Sequence, residues 1–168
     1  MNLQFYLEKL RNTDSFKNFL KKNPKAFLCS GFFVVPKEEK QGEKIHLDFF
    51  SPEKEKVFSF DLGENGKMIP LEDFEEKPLE VSQKVEMDFN QIEKLVLEEM
   101  EKKQIKTKIQ KLIFSLQSRE GKPFIFGTAF IPMLGMIKFE IDLKNKKVLD
   151  LEKKSLFDMV KISSKKKD

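Results

Sequence analysis

The sequence has very few of the residues that build covalent cross-links and metal sites. Its 168 residues include one cysteine, Cys29, and one histidine, His46. A lone cysteine cannot form an internal disulfide, and one cysteine with one histidine cannot complete a structural zinc site. The glycine patterns of P-loops and dinucleotide-binding turns are also missing, which excludes nucleotide binding by those devices. We therefore expect no cofactor and no bound metal.

Cys29 and His46 are also the only candidates for a nucleophile and base pair, and their surroundings argue against catalysis. Cys29 lies in the apolar run 26–35, where burial would raise the pKa of its thiol and make it unreactive. His46 alternates with apolar residues, and no G-x-S-x-G motif supplies a serine nucleophile for it. The sequence therefore predicts a protein that is not an enzyme.

Long apolar runs are absent as well. No run approaches the roughly 20 residues that a membrane-spanning helix needs. The first four residues do not begin the basic-then-apolar pattern of a signal peptide. We therefore expect a cytoplasmic protein that has no membrane partner. Hydrophobic residues still make up 39% of the chain, enough for a core without covalent cross-links.

Positive charge is not concentrated in one part of the chain. The 32 basic residues are set against 28 acidic residues, and the two signs interleave. Only Arg11 and Arg119 are arginines, whereas nucleic-acid binding favours arginine and clustered basic side chains. The clearest cluster is the lysine run 165–167 near the end of the chain. Nucleic acid is therefore an admissible partner that the charge pattern does not favour.

Hydrophobic periodicity separates helices from strands. Helical spacing over residues 3–20 predicts either one kinked helix or two short helices, which end before Pro24. A second helical region follows Asp88, which forms a capping-box pattern with Gln91. Ser155 and Asp158 could cap a short C-terminal helix. Strand patterns occur at 26–35, 45–49, 58–62, 67–71, 108–117, 124–131, 137–141 and 148–151.

This order of elements predicts an α+β fold of two successive units, each a helix followed by an antiparallel sheet. The first unit spans 1–80, with three or four strands. The second spans 81–162, with four strands and the terminal helix. Residues 163–168 form a flexible lysine-rich tail.

The two units resemble each other in sequence pattern. The hairpin 45–60 aligns with the hairpin 137–151, and the preceding strands align through Gly31 and Gly127. This similarity suggests an internal duplication, with the strand 108–117 as an addition to the second copy. Gly127 and Ala129 lie on one face of their strand, where their small size would let a helix approach closely.

The second unit also resembles a PepSY domain. The resemblance covers roughly residues 88–153 and rests on the turn at 120–121 and the acidic-plus-turn stretch 141–149. Lys146 stands near the position of the glycine that is usual in the last turn of that family. The whole chain further resembles uncharacterised archaeal proteins of similar length. The PepSY resemblance implies a PepSY- or cystatin-like fold and a binding or inhibitory module, with no catalytic residues to transfer.

Adjacent phenylalanines mark the surface best suited to a partner. Pairs at 32–33 and 49–50 lie on strands, so one member of each pair points away from the other. If the second face of the sheet is not covered, its exposed rings can contact a partner. The alternative is that helices or the other unit cover that face. The candidate partner surface consists of Phe32, His46, Asp48 and Phe50.

Together, these features predict a non-enzymatic module that binds an unknown protein or peptide by a sheet edge or a groove. Two alternatives stay open. The first is an RNA- or ribosome-associated protein, and the second is a small-ligand carrier with a cavity between helix and sheet.

Overall fold

The computed structural model describes residues 2–38, 40–71 and 74–157, which form three helices and eight strands. The helices are α1 (Leu3–Arg11), α2 (Asp14–Lys22) and α3 (Phe89–Lys102). The strands are β1 (Phe27–Pro36), β2 (Lys44–Ser51), β3 (Lys56–Asp61), β4 (Lys67–Leu71), β5 (Lys111–Arg119), β6 (Lys122–Ile131), β7 (Gly135–Asp142) and β8 (Lys147–Ser155).

All eight strands belong to one antiparallel sheet, in the order β4-β3-β2-β1-β5-β6-β7-β8. The two halves of the chain meet where β1 pairs with β5, from Ser30 opposite Gln117 to Pro36 opposite Lys111. The prediction of two successive helix-plus-sheet units is therefore wrong. Pairing β1 with β5 satisfies backbone groups that two separate sheets would leave on exposed edges, so one continuous sheet forms.

The sheet order also contradicts the alignment of the two halves. Each half contributes four strands, so β5 is not an addition to the second half. In the second half, β5 lies next to the centre of the sheet, as β1 does in the first half. The sequence alignment instead equated β1 with β6 through Gly31 and Gly127, which lie at different distances from the centre of the sheet.

Side-chain caps define where the helices begin. The Asn2 side chain accepts a hydrogen bond from the Phe5 amide, and the Thr13 hydroxyl accepts one from the Phe16 amide. Thr13 therefore starts a second helix, and the region 3–20 contains two short helices. Asp88 caps α3, as its sequence pattern predicts. The predicted C-terminal helix and the lysine-rich tail lie almost wholly in 158–168, outside the described residues.

The helices cover one face of the sheet, and the core lies between the helices and this face. Their apolar stripes and the alternate strand residues that face them form one buried cluster. Phenylalanine rings fill much of it, as where Phe16 of α2 packs edge-on against Phe60 at 5.1 Å between ring centres. None of these helices is long and apolar enough to span a bilayer.

Gly127 accommodates an aromatic ring instead of the expected helix. A Cβ atom at this position would lie 2.7 Å from Phe139 Cε2 and 2.8 Å from Phe114 Cβ. These residues lie on the two neighbouring strands, directly opposite Gly127. The small residue is therefore required by the rings of the sheet itself.

Candidate functional site

The second face of the sheet, which we name the open face, has no helix packed on it among the described residues. One line of directly paired residues crosses this face from β3 to β8, and we name it the central row. In strand order the central row contains Asp61, His46, Phe32, Ser115, Phe126, Glu140 and Asp150. Their side chains alternate along each strand with those that face the helices.

The structure brings two of the sequence-predicted site residues together in the central row. Phe32 is 41% exposed, and the ring of its neighbour His46 lies 6.4 Å from it between ring centres. On the other side of His46, Nε2 lies 3.8 Å from Asp61 Oδ2. An exposed aromatic ring therefore sits beside a polar pair, an arrangement that suits contact with an amphipathic partner.

Asp48 lies on the open face next to the central row, and its two carboxylate oxygens differ. Oδ2 accepts a hydrogen bond of 2.6 Å from the Ser30 hydroxyl. Oδ1 is buried and has no hydrogen-bond partner among the described residues. A buried acceptor without a donor is costly, so a ligand that brings a donor to it would gain a strong contact.

The fourth predicted residue, Phe50, is covered. It is only 2% exposed, since Phe74 packs edge-on against it at 5.6 Å and Lys77 Nζ lies 5.9 Å from its ring centre. Both come from the segment 74–88 that joins the two halves of the chain. A short part of the second face is thus covered by the connecting segment, not by helices or by the other half of the chain. Phe50 is unavailable to a partner in this arrangement.

Cys29 lies near this covered end. Its thiol donates to the Asp48 carbonyl oxygen at 3.4 Å. Burial, followed by the nearby Asp48 charge, raises the pKa of the thiol to about 12. The expected burial of Cys29 is therefore present, and a thiol with such a pKa is a poor nucleophile at neutral pH.

An open groove of about 490 Å³ follows the middle of the open face, where β1, β5, β6 and β7 adjoin. Phe32, Ile113 and Phe126 supply apolar surface to it, and Lys138 and Asp150 supply charge. Gly127 also lines the groove, but a side chain at this position would point to the helix-covered face, where it would meet the rings of the core.

Arg119 fixes one wall of this groove. Its guanidinium lies 5.0 Å from the ring centre of Phe124 and 4.9 Å from that of Phe126, which is cation–π geometry. The same side chain donates to Glu140 Oε1 at 2.8 Å. Sequence reasoning missed these residues because their proximity to Phe32 depends on the pairing of β1 with β5. The available signal in the sequence was the alternation of residues 124, 126 and 128 with the core residues between them.

A second cavity, of about 610 Å³, lies between the sheet and the connecting segment. Asp48 and Ser118 line it together with apolar residues such as Val57, Phe74 and Leu79. Ser118 Oγ is, like Asp48 Oδ1, buried without a hydrogen-bond partner among the described residues. The cavity therefore combines apolar walls with polar groups that can still form hydrogen bonds.

Metal binding receives no support from the described part of the chain. It contains no group of three or more histidine, cysteine, aspartate or glutamate side chains placed to hold an ion.

Comparison with known proteins gives one likeness of fold. No family model matches the chain, and no curated protein matches it significantly. Among solved structures, a putative lipoprotein from Clostridium difficile 630 superposes with a TM-score of 0.53. The sequences are 14% identical, and the match covers 84% of this chain and 91% of the other. At this identity the likeness concerns the fold alone, and the PepSY resemblance stays a prediction.

Proposed function

We propose that this chain is a non-enzymatic binding module that holds a segment of a protein or a peptide in the groove of the open face. The observation that carries the proposal is the exposure of Phe32 in a groove that the described residues leave open. A half-exposed ring beside other apolar side chains is a surface that a partner can bury with a gain in free energy.

The charges of the open face favour an occupant that combines apolar and basic side chains. Three carboxylates lie in the central row, at Asp61, Glu140 and Asp150, and Glu140 is engaged by Arg119. Asp150 is exposed at the groove wall. An apolar side chain of the segment would lie against Phe32, and a basic side chain would pair with Asp150.

The same charges argue against the nucleic-acid alternative. An exposed ring and an arginine could stack bases, and Phe32 and Arg119 offer both. However, Arg119 already binds Glu140, and the carboxylates of the central row would repel a phosphate backbone. A peptide is therefore the better occupant.

The interior argues against the small-ligand carrier. Between α3 and the sheet, the rings of Phe33, Phe89 and Phe114 fill the space, with centres 5.1–5.5 Å apart. A carrier of the predicted type needs an enclosed cavity at that position. We place the binding module in the cytoplasm, in keeping with its single free and buried thiol.

The proposal can be tested with a displayed library of random peptides panned against the full chain. Enriched peptides would then be synthesised with a fluorescent label and titrated by polarisation. We expect enriched peptides to combine apolar and basic residues and to lose at least about tenfold in affinity when Phe32→Ser removes the exposed ring.

Met68→Ser is the matched control, since Met68 on β4 is also 41% exposed and lies outside the groove. This variant should bind as the wild type does. Failure to enrich any peptide, or equal loss of affinity in both variants, would contradict the proposal. Selective binding of single-stranded RNA through Phe32 would support the nucleic-acid alternative instead.

A further inference from the structure

A second exposed surface lies at the end of the sheet where β6 turns into β7, away from the groove. Met133 and Leu134 occupy this turn and are 93% and 56% exposed. Leu156, just after β8, lies beside them, because its amide donates to the Leu134 carbonyl oxygen at 3.2 Å, and Phe157 follows it in the chain. We name these four side chains the apolar tip. Phe157 is itself 64% exposed.

The backbone of the turn is unfavourable for the residues it contains. Three residues, Pro132 to Leu134, connect Ile131 to its partner Gly135. Met133 has φ 62° and Leu134 has φ 57°, in the left-handed region where glycine and asparagine are preferred. Bulky apolar residues here destabilise the turn, and Met133 is too exposed to offset this cost by burial. Such strain at an exposed position points to a role in function.

Lysines lie on two chain segments that reach the end of the sheet where the apolar tip is found. The segment 106–111 contains three lysines and no acidic residue. This segment reaches the tip end of the sheet, because the Gln110 amide donates to the Phe130 carbonyl oxygen at 2.8 Å, three residues before Met133. Lys111 Nζ lies 5.4 Å from the ring centre of Phe130.

The end of β8 adds two further lysines to this surface. Lys153 pairs with Ile137 and Lys154 with Met136, both within a few residues of the turn. Glu152 is the acidic residue of this part of β8, and it lies 3.6 Å from Lys154. Positive charge therefore predominates around the apolar tip.

From this arrangement we propose that the apolar tip and the neighbouring lysines dock the protein on the surface of an anionic lipid bilayer. Exposed apolar side chains with lysines nearby match a bilayer, whose acyl region accepts the apolar groups while its anionic headgroups pair with the ammonium groups. The proposal is independent of peptide binding in the groove, and it departs from the sequence-based expectation of no membrane partner.

The shape of the tip favours a bilayer over an acidic protein or RNA. Met133 is almost fully exposed at the point of a hairpin, so a protein would need a complementary pocket, whereas a lipid surface deforms around it. RNA would use the lysines and leave four apolar side chains in water. Only the bilayer would contact both the lysines and the apolar side chains.

The test is sedimentation of the full-length chain with vesicles. One set consists of phosphatidylcholine alone, and the other contains about one-third phosphatidylserine to give an anionic surface. We expect binding to the anionic vesicles only, with an affinity that falls as salt is added. Substituting Lys106→Gln and Lys108→Gln should weaken binding by about fivefold for each charge near the surface.

The decisive variant combines Met133→Asn with Leu134→Gly. Asparagine and glycine tolerate positive φ, so the thermal midpoint should stay the same or rise while vesicle binding falls by about tenfold or more. The matched control is Glu120→Asn in the β5–β6 turn, where Glu120 also has a positive φ (51°) but lies at the opposite end of the sheet. Glu120→Asn should bind normally.

Three results would overturn the proposal. The first is failure of the wild type to sediment with anionic vesicles at low salt. The second is binding of the Met133→Asn, Leu134→Gly variant that is as strong as that of the wild type. The third is binding to an acidic polypeptide or to RNA that depends on Met133 and Leu134 when vesicle binding does not.

Discussion

Phe33 of β1 and Phe114 of β5 stack across the central strand pair, with ring centres 5.1 Å apart and ring planes 20° from parallel. They are directly opposite each other in the register, and both are almost completely buried. Phe89 of α3 packs edge-on against both rings. The contact joins the first half of the chain to the second, so it should couple the folding of the two halves.

We therefore expect Phe114→Ala to lower the free energy of unfolding by about 3–5 kcal/mol, because it removes a buried ring and leaves a cavity. Denaturant unfolding followed by circular dichroism measures this change. Leu149→Ala is the control, since Leu149 is 48% exposed, and its cost should stay within about 0.5 kcal/mol. The Phe114→Ala variant should still unfold in one transition. Two separated transitions would show that the halves fold independently.

Gly127→Ala should destabilise the protein although it adds a single methyl group. The new Cβ would overlap the Phe139 ring and the Phe114 Cβ, and neither neighbour can withdraw from a packed core. We expect a loss of about 1–3 kcal/mol in the free energy of unfolding. Phe139→Leu in the same chain should recover part of the loss by vacating the space.

Gly42→Ala provides the comparison for this prediction, because a Cβ added there would have no atom within 4 Å and the φ of Gly42 is not in the left-handed region. It should be neutral or slightly stabilising, through a less flexible unfolded chain. Equal stability of the Gly127→Ala and wild-type proteins would mean that the Phe139 ring does not lie over Gly127 in solution.

The sequence was informative about local structure and misleading about how the pieces combine. Period-two patterns located the strands, and Asp88 marked the start of α3, because these signals depend on neighbouring residues. The pairing of β1 with β5 is a contact between residues far apart in the chain. No pattern within either strand specifies it, so the two-unit prediction followed from chain order alone.

The candidate site shows the same limit. Alternation placed Phe32, His46 and Asp48 on the second face, where they lie in the structure. It could not show that Phe74 covers Phe50, because the covering residue belongs to an irregular segment. The far side of the groove, including Phe126 and Glu140, comes from the second half and adjoins Phe32 only through the central strand pair.

The thiol of Cys29 should react slowly in the folded protein. Its pKa is raised to about 12 by burial and by the Asp48 charge, so almost no thiolate exists near neutral pH. We expect a disulfide-exchange reagent to modify Cys29 at least about a hundredfold more slowly in the native protein than in denaturant. Rapid modification of the native protein would contradict the burial of this side chain.

The same shift makes stability depend on pH. The unfolded chain releases the thiol proton near its ordinary pKa of 9.0, whereas the folded chain holds it to about 12. Unfolding therefore releases a proton in this window, and stability must fall as the pH rises from 9 towards 12. Cys29→Ala should show a shallower decline across that range. Parallel curves for the two proteins would contradict the prediction.

Tyr6 offers a direct spectroscopic check on the contact between α1 and the start of β2. Its hydroxyl donates to Glu43 Oε2 at 2.6 Å. Burial is the main cause that raises its pKa above the ordinary value of 10.0, followed by this hydrogen bond and the Glu43 charge. The chain has no tryptophan and no other tyrosine, so the ultraviolet absorbance of phenolate reports Tyr6 alone.

We expect the phenolate signal of the folded protein to appear well above pH 10.0, with circular dichroism used to verify that the fold persists. Glu43→Gln removes the charge and weakens the hydrogen bond, so the pKa should fall, yet it should remain raised because burial is unchanged. Two results would count against this contact. The first is ionisation of Tyr6 near pH 10.0 in the folded wild type. The second is a Tyr6 pKa that Glu43→Gln leaves unchanged.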